Sequence, residues 1–333
     1  MDRQCPRAIC SVTLVAVSLL IGPAHANEPV ETWQGTVGRD HPLTGQIWDV
    51  TAGRFIDHTT LVARLARNRF VLLGEKHDNP DHHRLQAWLL RALVAAGRRP
   101  AVGFEMFDTD QQTTIDRHLG AAPTDAAGLA DAVNWDNAGW PDWSLYQPIV
   151  EVALDARLPI MATNLSPTMV RTLSREGPVS LEGGLGARLG IDRPLARDTH
   201  EAMAADIRDS HCGYAPEALI ESMITVQRAR DAQMAERLAA AEREGGAVLI
   251  AGVGHVRTDW GVPVYLETRL PGSTVTSVAL LEVASGETEP AAYAAQFRED
   301  PLPFDYVWFT PRVDDADPCE KFRMQLKELG KKN

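Results

Sequence analysis

Basic charge is scarce. The 33 lysines and arginines stand against 45 acidic residues, a formal net charge of -12, and no basic run occurs. Nucleic-acid binding needs a positive stripe, so that class is excluded. Cysteine is scarcer still, with four in 333 residues. The N-terminal apolar stretch, Ile9 to Ile21, is short for a bilayer-spanning helix of ~20 residues. There is no Walker loop, no Gly-x-Ser-x-Gly elbow and no Cys-x-x-Cys-His. Those absences remove P-loop chemistry, the α/β-hydrolase nucleophile and covalent c-type haem attachment. What remains is ordinary globular composition, 44% hydrophobic and 23% charged. It suits one large domain, or one domain with a helical insertion.

The first 26 residues carry the marks of an export signal. Arg3 and Arg7 precede the apolar stretch, and Ala24-His25-Ala26 gives the small-x-small cleavage pattern, so the mature chain is expected to begin at about Asn27. Cys10 opens the apolar stretch and follows no Leu-x-Gly pattern, so there is no lipobox and a soluble periplasmic protein without a membrane anchor is expected. Cys5 and Cys10 leave with the signal. Cys212 and Cys319 remain, and in an oxidising compartment they are expected to pair. Closing a loop of ~100 residues contributes up to ~4.7 kcal/mol in the chain-entropy description. The mature chain divides into a polar, mobile lead-in (27–45), an α/β domain (46–312) and a charged tail (313–333).

Strand and helix patterns alternate through the domain. Apolar runs at Phe70–Leu73, Pro100–Phe104, Leu158–Ala162 and Ala247–Ala251 predict buried parallel strands. Val275–Val283 and Phe304–Phe309 are later strands, the last placed late enough in the chain to sit at an edge. Helices are expected over 61–68, from Pro80 behind an Asn79 N-cap to about Ala96, and over 110–119, 145–156, 197–210 and 216–243. Residues 177–196, rich in Gly and Pro, predict a linking loop. The class is α/β, a mostly parallel sheet flanked by helices, with a helical insertion.

In such sheets ligands bind beyond the carboxyl ends of the strands. There the sequence places Glu75 and His77, then Glu105, Asn164 and His255. Glu75 and His77 lie two apart, on one side of an extended backbone. His82 and His83 follow in the first helical turn. Imidazole and carboxylate together suit a divalent metal or general acid/base work, as in a metal-dependent esterase or peptidase; a hydrogen-bonded turn is the plainer alternative, above all for His82 and His83. Arg228 and Asp231, three apart on a helix, are expected to pair on its surface; Arg228 or Arg230 reaching inward would instead hold a carboxylate. Trp135, Trp140 and Trp143 form either an aromatic wall for a flat ligand or a plug over the core. Tyr146, Tyr214 and Tyr265 are the phenol candidates.

Together these segments resemble the ChaN family. The likeness is carried by Leu73-Gly74-Glu75-Lys76-His77-Asp78-Asn79 with His82-His83, then Gly103-Phe104-Glu105-Met106-Phe107, Asn134-Trp135 and Tyr146-Gln147-Pro148. Gln227-Arg228-Ala229-Arg230-Asp231 and Gly252-Val253-Gly254-His255 complete it, in the same order. The likeness runs from about Gly45 to Trp308. It implies a haem-binding protein of the bacterial envelope, linked to iron uptake and working with the envelope's haem-uptake machinery. A tyrosine would ligate the haem iron, and haems would stack within a homodimer. The wider group, with the Tiki metalloproteases, TraB proteins and erythromycin esterases, implies hydrolysis by residues matching Glu75, His77, Glu105 and His255. The favoured expectation is haem capture. Tyr146, Tyr214 or Tyr265 would be the iron ligand, the tryptophans would supply the aromatic wall, and Arg228 or Arg230 would meet a propionate. His77, His82, His83 and His255 are rival ligands.

Overall fold

The computed structural model describes residues 29–30, 32–178, 184–241, 245–317, 319–321 and 323–324. The export signal and its cleavage site lie outside them. Eight strands form one sheet. They are β1 (Ile47–Asp49), β2 (Arg54–Ile56), β3 (Phe70–Glu75), β4 (Ala101–Asp108), β5 (Ile160–Asn164), β6 (Ala247–Gly252), β7 (Val275–Glu282) and β8 (Tyr306–Thr310). Their order is β2-β1-β8-β7-β3-β6-β4-β5, and every pairing is parallel except those of β1.

β3 and β6 are buried throughout because helices cover both faces. Alternation sorts their residues. Val71, Leu73, Val248 and Ile250 pack on one side with α1 (His58–Leu65), α2 (Pro80–Ala95) and α5 (Trp143–Asp155). Phe70, Leu72, Leu249 and Ala251 pack on the other with α9 (Glu217–Ala240) and α10 (Val262–Arg269). The strand expected at an edge is interior: β8 lies between β7 and β1. β1 and β2, three residues each, are too short to show a period, and they continue the sheet beyond β8. The polar lead-in is tied to the domain from Gln34 onward. The Gln34 and Gly35 N–H groups donate to the buried Asp81, and Val37 bridges Arg312.

α3 (Gln112–Ala121) and α4 (Ala126–Ala132) connect β4 towards α5. Between β5 and β6 the chain inserts α6 (Pro167–Glu176), α7 (Leu185–Leu189), α8 (Arg197–Ser210) and α9. α6 was not foreseen; Ser166 caps it with Pro167 at its first position. α8 and α9 bury Met203, Ile207, Ile220 and Ile224 against Trp260, so this hairpin stands over the carboxyl ends of β3 and β6. Cys212 in its turn is disulfide-bonded to Cys319, with a Cα–Cα distance of 5.5 Å. No helix among the described residues is long and apolar enough to cross a membrane.

Candidate functional site

Gly74 lets β3 end in contact with the turn after β6: a Cβ there would lie 2.3 Å from Val256 Cγ2. Glu75, the next residue, is wholly buried. Asn79 starts α2 two residues beyond His77 and accepts the Asp81 N–H at 2.9 Å. This tight strand-to-helix turn brings His77, His82 and His83 back onto the strand end. On β4, which lies on the other side of β6 from β3, pairing with β6 stops at Phe104, and the Glu105 carboxylate accepts the Gly252 N–H at 2.7 Å. Beyond Gly252 a 3-10 turn carries His255.

The four strand-end residues Glu75, His77, Glu105 and His255 converge. His77 Nδ1 lies 2.9 Å from Glu75 Oε1, and His77 Nε2 lies 3.9 Å from Glu105 Oε2. His255 Nε2 lies 3.1 Å from Glu105 Oε1, while its Nδ1 lies 2.6 Å from Asp231 Oδ1. Both nitrogens of His255 therefore face carboxylates. Burial works against its charge, but Glu105 and Asp231 outweigh that and raise it to about 10. Burial also opposes charge on Glu105, yet His255, His77 and the Gly252 N–H hold it well below the usual carboxylate range. Glu75 behaves likewise, its burial outweighed by His83 and His77, which hold it at about 2. Burial lifts Asp231 to about 6 against the pull of His255.

His83 joins the same network. Its Nδ1 lies 3.0 Å from Glu75 Oε2, an ion pair rather than an aligned hydrogen bond, and its Nε2 lies 2.9 Å from the His77 carbonyl. His82 does not join it. It accepts the Lys76 N–H at 2.8 Å and meets Thr310 at 2.8 Å, and burial lowers it to about 3, so it is neutral and belongs to the turn. The network is an alternation of carboxylates and imidazoles, and nearly all of it is closed to water. His77 alone reaches the surface, its side chain 33% exposed under the Trp140 ring at 5.1 Å. The four residues weighed as metal ligands are turned toward one another. Among the described residues no group of three or more His, Cys, Asp and Glu is arranged to hold a metal ion.

The other expected residues scatter. Tyr146 is wholly buried and donates to Glu75 Oε1 at 2.9 Å; burial and Glu75 push its phenol far up, so it stays protonated. Trp135 and Trp143 pack on Phe107 and each other, and Trp135 also on Tyr146, with the Trp135 indole N–H on the Pro141 carbonyl at 2.8 Å. They are core and not a ligand wall; only Trp140 borders the site. Arg228 turns away, donating to the carbonyls of Ile191 and Arg193. It does not pair with Asp231, which is fully buried on His255. Asp231 was misassigned to the surface; the small residues Ala229, Ala232 and Ala235 around it, all buried, are the signal that marks it as buried. Burial raises the Tyr265 phenol, beside Asp231 and Arg228. Tyr214, in the α8–α9 turn two residues after Cys212, is 49% exposed.

A cleft of about 370 Å³ opens between the α8–α9 hairpin and the ends of β3 and β6. His77, Gln227 and His255 form its polar side, and Met203, Ile207 and Trp260 its apolar side. His211, three residues before Tyr214, lies at its margin.

An α/β sheet with a glycine-histidine turn after each of two strands, and a glutamate between them, defines the class. The profile of the haem-binding uptake proteins of the Tiki superfamily, ChaN, matches residues 61–266, more than half of the chain, and the chain belongs to that family. Among solved structures, ChaN of Campylobacter jejuni with cofacially bound haem is similar over 79% of this chain and 95% of that one, at 22% identity and a TM-score of 0.61. The type III effector HopBA1 matches over 76% of this chain and 92% of its own at 14% identity, TM-score 0.42. A mutant erythromycin esterase EreC in its open conformation matches over 88% and 87% at 15% identity, TM-score 0.40. No curated protein matches the chain.

Proposed function

We propose that this protein captures haem on the apolar side of the α8–α9 hairpin, with Tyr214 as the iron ligand. Family membership supplies the haem, and the exposure of Tyr214 carries the choice of ligand. Haem demands apolar surface, an iron ligand and cations for two propionates. Leu219 and the Tyr214 ring, both exposed on the hairpin, meet the first demand, while Met203, Ile207 and Trp260 line the cleft and are themselves nearly buried. Tyr146 does not meet the second, because its phenol is buried and given to Glu75. Tyr214 meets it as a surface phenol beside the cleft. Among the histidines gathered at the strand ends, His77 is the one nearest solvent. Burial lowers it, but Glu75 and Glu105 raise it further, which favours the imidazolium, and an imidazolium does not ligate iron.

The cofacial haems of the Campylobacter jejuni protein support a second part of the reading, that two copies of this chain meet over paired haems. Leu219, 47% exposed on the same hairpin, is suited to such a contact. The export pattern and the disulfide support a periplasmic site of action, where the protein would hand haem to or receive it from the envelope's uptake machinery. Titration with ferric haem, followed by absorbance and sedimentation, tests both parts. A saturable Soret shift with dimer formation is expected. A titration with no Soret shift refutes haem capture, and a haem-loaded monomer refutes the pairing.

A further inference from the structure

A second cavity, about 490 Å³, lies at the carboxyl ends of β4 and β5. Trp140, whose ring packs on His77, forms one wall, so the cavity and the histidine cleft are neighbours. Arg230 enters it from α9, three residues after Gln227, which lines the cleft. The Arg230 guanidinium makes no hydrogen bond or ion pair with any described residue. Its Nε is buried without a partner, and its terminal nitrogens are not buried. Asn164 lines the same cavity and is only 2% exposed. Its Oδ1 accepts the Leu165 N–H at 2.8 Å, and its amide nitrogen has no acceptor among the described residues.

We infer that this cavity is a carboxylate-binding subsite in which Arg230 supplies a bidentate fork and Asn164 an amide donor. An unpaired guanidinium in a half-buried wall is costly, and a carboxylate matches both its charge and its planar geometry. Met106, Val133 and Trp140 give the wall an apolar part, which suits a carboxylate carried on an apolar body, and Gln111, Asn134 and Arg171 add polar groups beside it. Asp108 lines the cavity without coming within salt-bridge distance of Arg230. Burial raises it to about 6, against Arg230. An incoming carboxylate raises it further, so that Asp108 enters the complex protonated, as a donor rather than a competitor.

Two sources supply this chemistry. One is a propionate of haem held in the neighbouring cleft, which rests on the function proposed above. The other is a free small acid, which does not. Wild type, Arg230→Gln, Arg230→Lys and Asn164→Ala are titrated with haem, with haem dimethyl ester and, separately, with phenylacetate by calorimetry. The melting temperature of each variant checks its fold, and Arg230→Lys keeps the charge should Arg230→Gln fold poorly. If the source is a propionate, Arg230→Gln weakens haem roughly ten-fold or more while the diester binds wild type and variant alike. If it is a free acid, phenylacetate binds wild type, the Arg230 and Asn164 variants lose it, and haem affinity is unchanged. The phenylacetate arm reads the cavity even if haem is not bound. Variants that match wild type toward every ligand overturn the subsite, as does a wild type that binds no phenylacetate and does not distinguish haem from its diester.

Discussion

Replacing Glu105 by glutamine removes one negative charge from the centre of the buried network and changes almost no volume. Glu105 faces His255 Nε2 at 3.1 Å, stands 3.9 Å from His77 Nε2 and accepts the Gly252 N–H at 2.7 Å. The glutamine carbonyl can keep the last of these. It leaves the His255 imidazolium with Asp231 alone and turns an amide on it. Removing one partner of a buried ion pair costs about 3–5 kcal/mol, and the retained Gly252 contact places this variant at the lower end, about 3 kcal/mol. The loss should depend on pH with a defined sign. Glu105 has a lowered folded pKa, so its contribution is present above the unfolded value of ~4.3 and disappears on acidification. His255 has a folded pKa raised to about 10, so its contribution is complete below the unfolded value of ~6.5 and is lost as pH climbs toward 10. The difference between wild type and Glu105→Gln is therefore largest between about pH 4.5 and 6.5 and shrinks by pH 9.5. Urea unfolding at pH 5.5, 7 and 9.5, read by fluorescence and circular dichroism, measures it. A difference below about 1 kcal/mol at pH 5.5, or one that grows with pH, refutes the charge alternation across Glu105 and His255.

Three other outcomes are expected. The Cys212→Ser/Cys319→Ser variant loses about 2–4 kcal/mol, since the bridge spans 107 residues; thermal unfolding that matches wild type refutes a stabilising bridge. Gly74→Ala is expected to cost about 1–3 kcal/mol, because the new Cβ would meet Val256 Cγ2 at 2.3 Å and the Val253 backbone at 3.1 Å; an unchanged melting temperature contradicts the close packing of that turn. Tyr146→Phe removes the donor to Glu75 and costs about 1.5–3 kcal/mol, yet its ferric haem spectrum should equal that of wild type; a changed spectrum would return Tyr146 to the ligand position.

The strands of the fold were legible because β3, β4, β5 and β6 each carry a short apolar run, the pattern of strands buried in a parallel sheet. β1 and β2 were not legible: three residues hold no period, and their pairing is set by β8 far along the chain. The meeting of Glu75, His77, Glu105 and His255 followed from one topological rule, that parallel strands end together. Asp231 escaped it because a helix surface and a helix face against the sheet look alike at a spacing of three; only the surrounding alanines tell them apart. The aromatic residues were the least legible. Trp135, Trp143 and Tyr146 sit in a polar stretch of Asn, Asp, Gly and Pro that marks loops; Phe107 on β4 packs on both tryptophans, and Tyr146 packs on Trp135 and His83.

The most direct test of haem capture through Tyr214 is the ferric haem spectrum of Tyr214→Phe beside that of a His77→Ala/His255→Ala double variant, each at saturating haem and each checked for folding. Tyr214 is 49% exposed in the α8–α9 turn, and His77 and His255 lie against carboxylates. The expected result is loss of the wild-type ferric spectrum in Tyr214→Phe and its retention in the double histidine variant. A wild-type spectrum from Tyr214→Phe together with its loss in the folded double histidine variant would contradict tyrosine ligation and place the iron on the strand-end histidines.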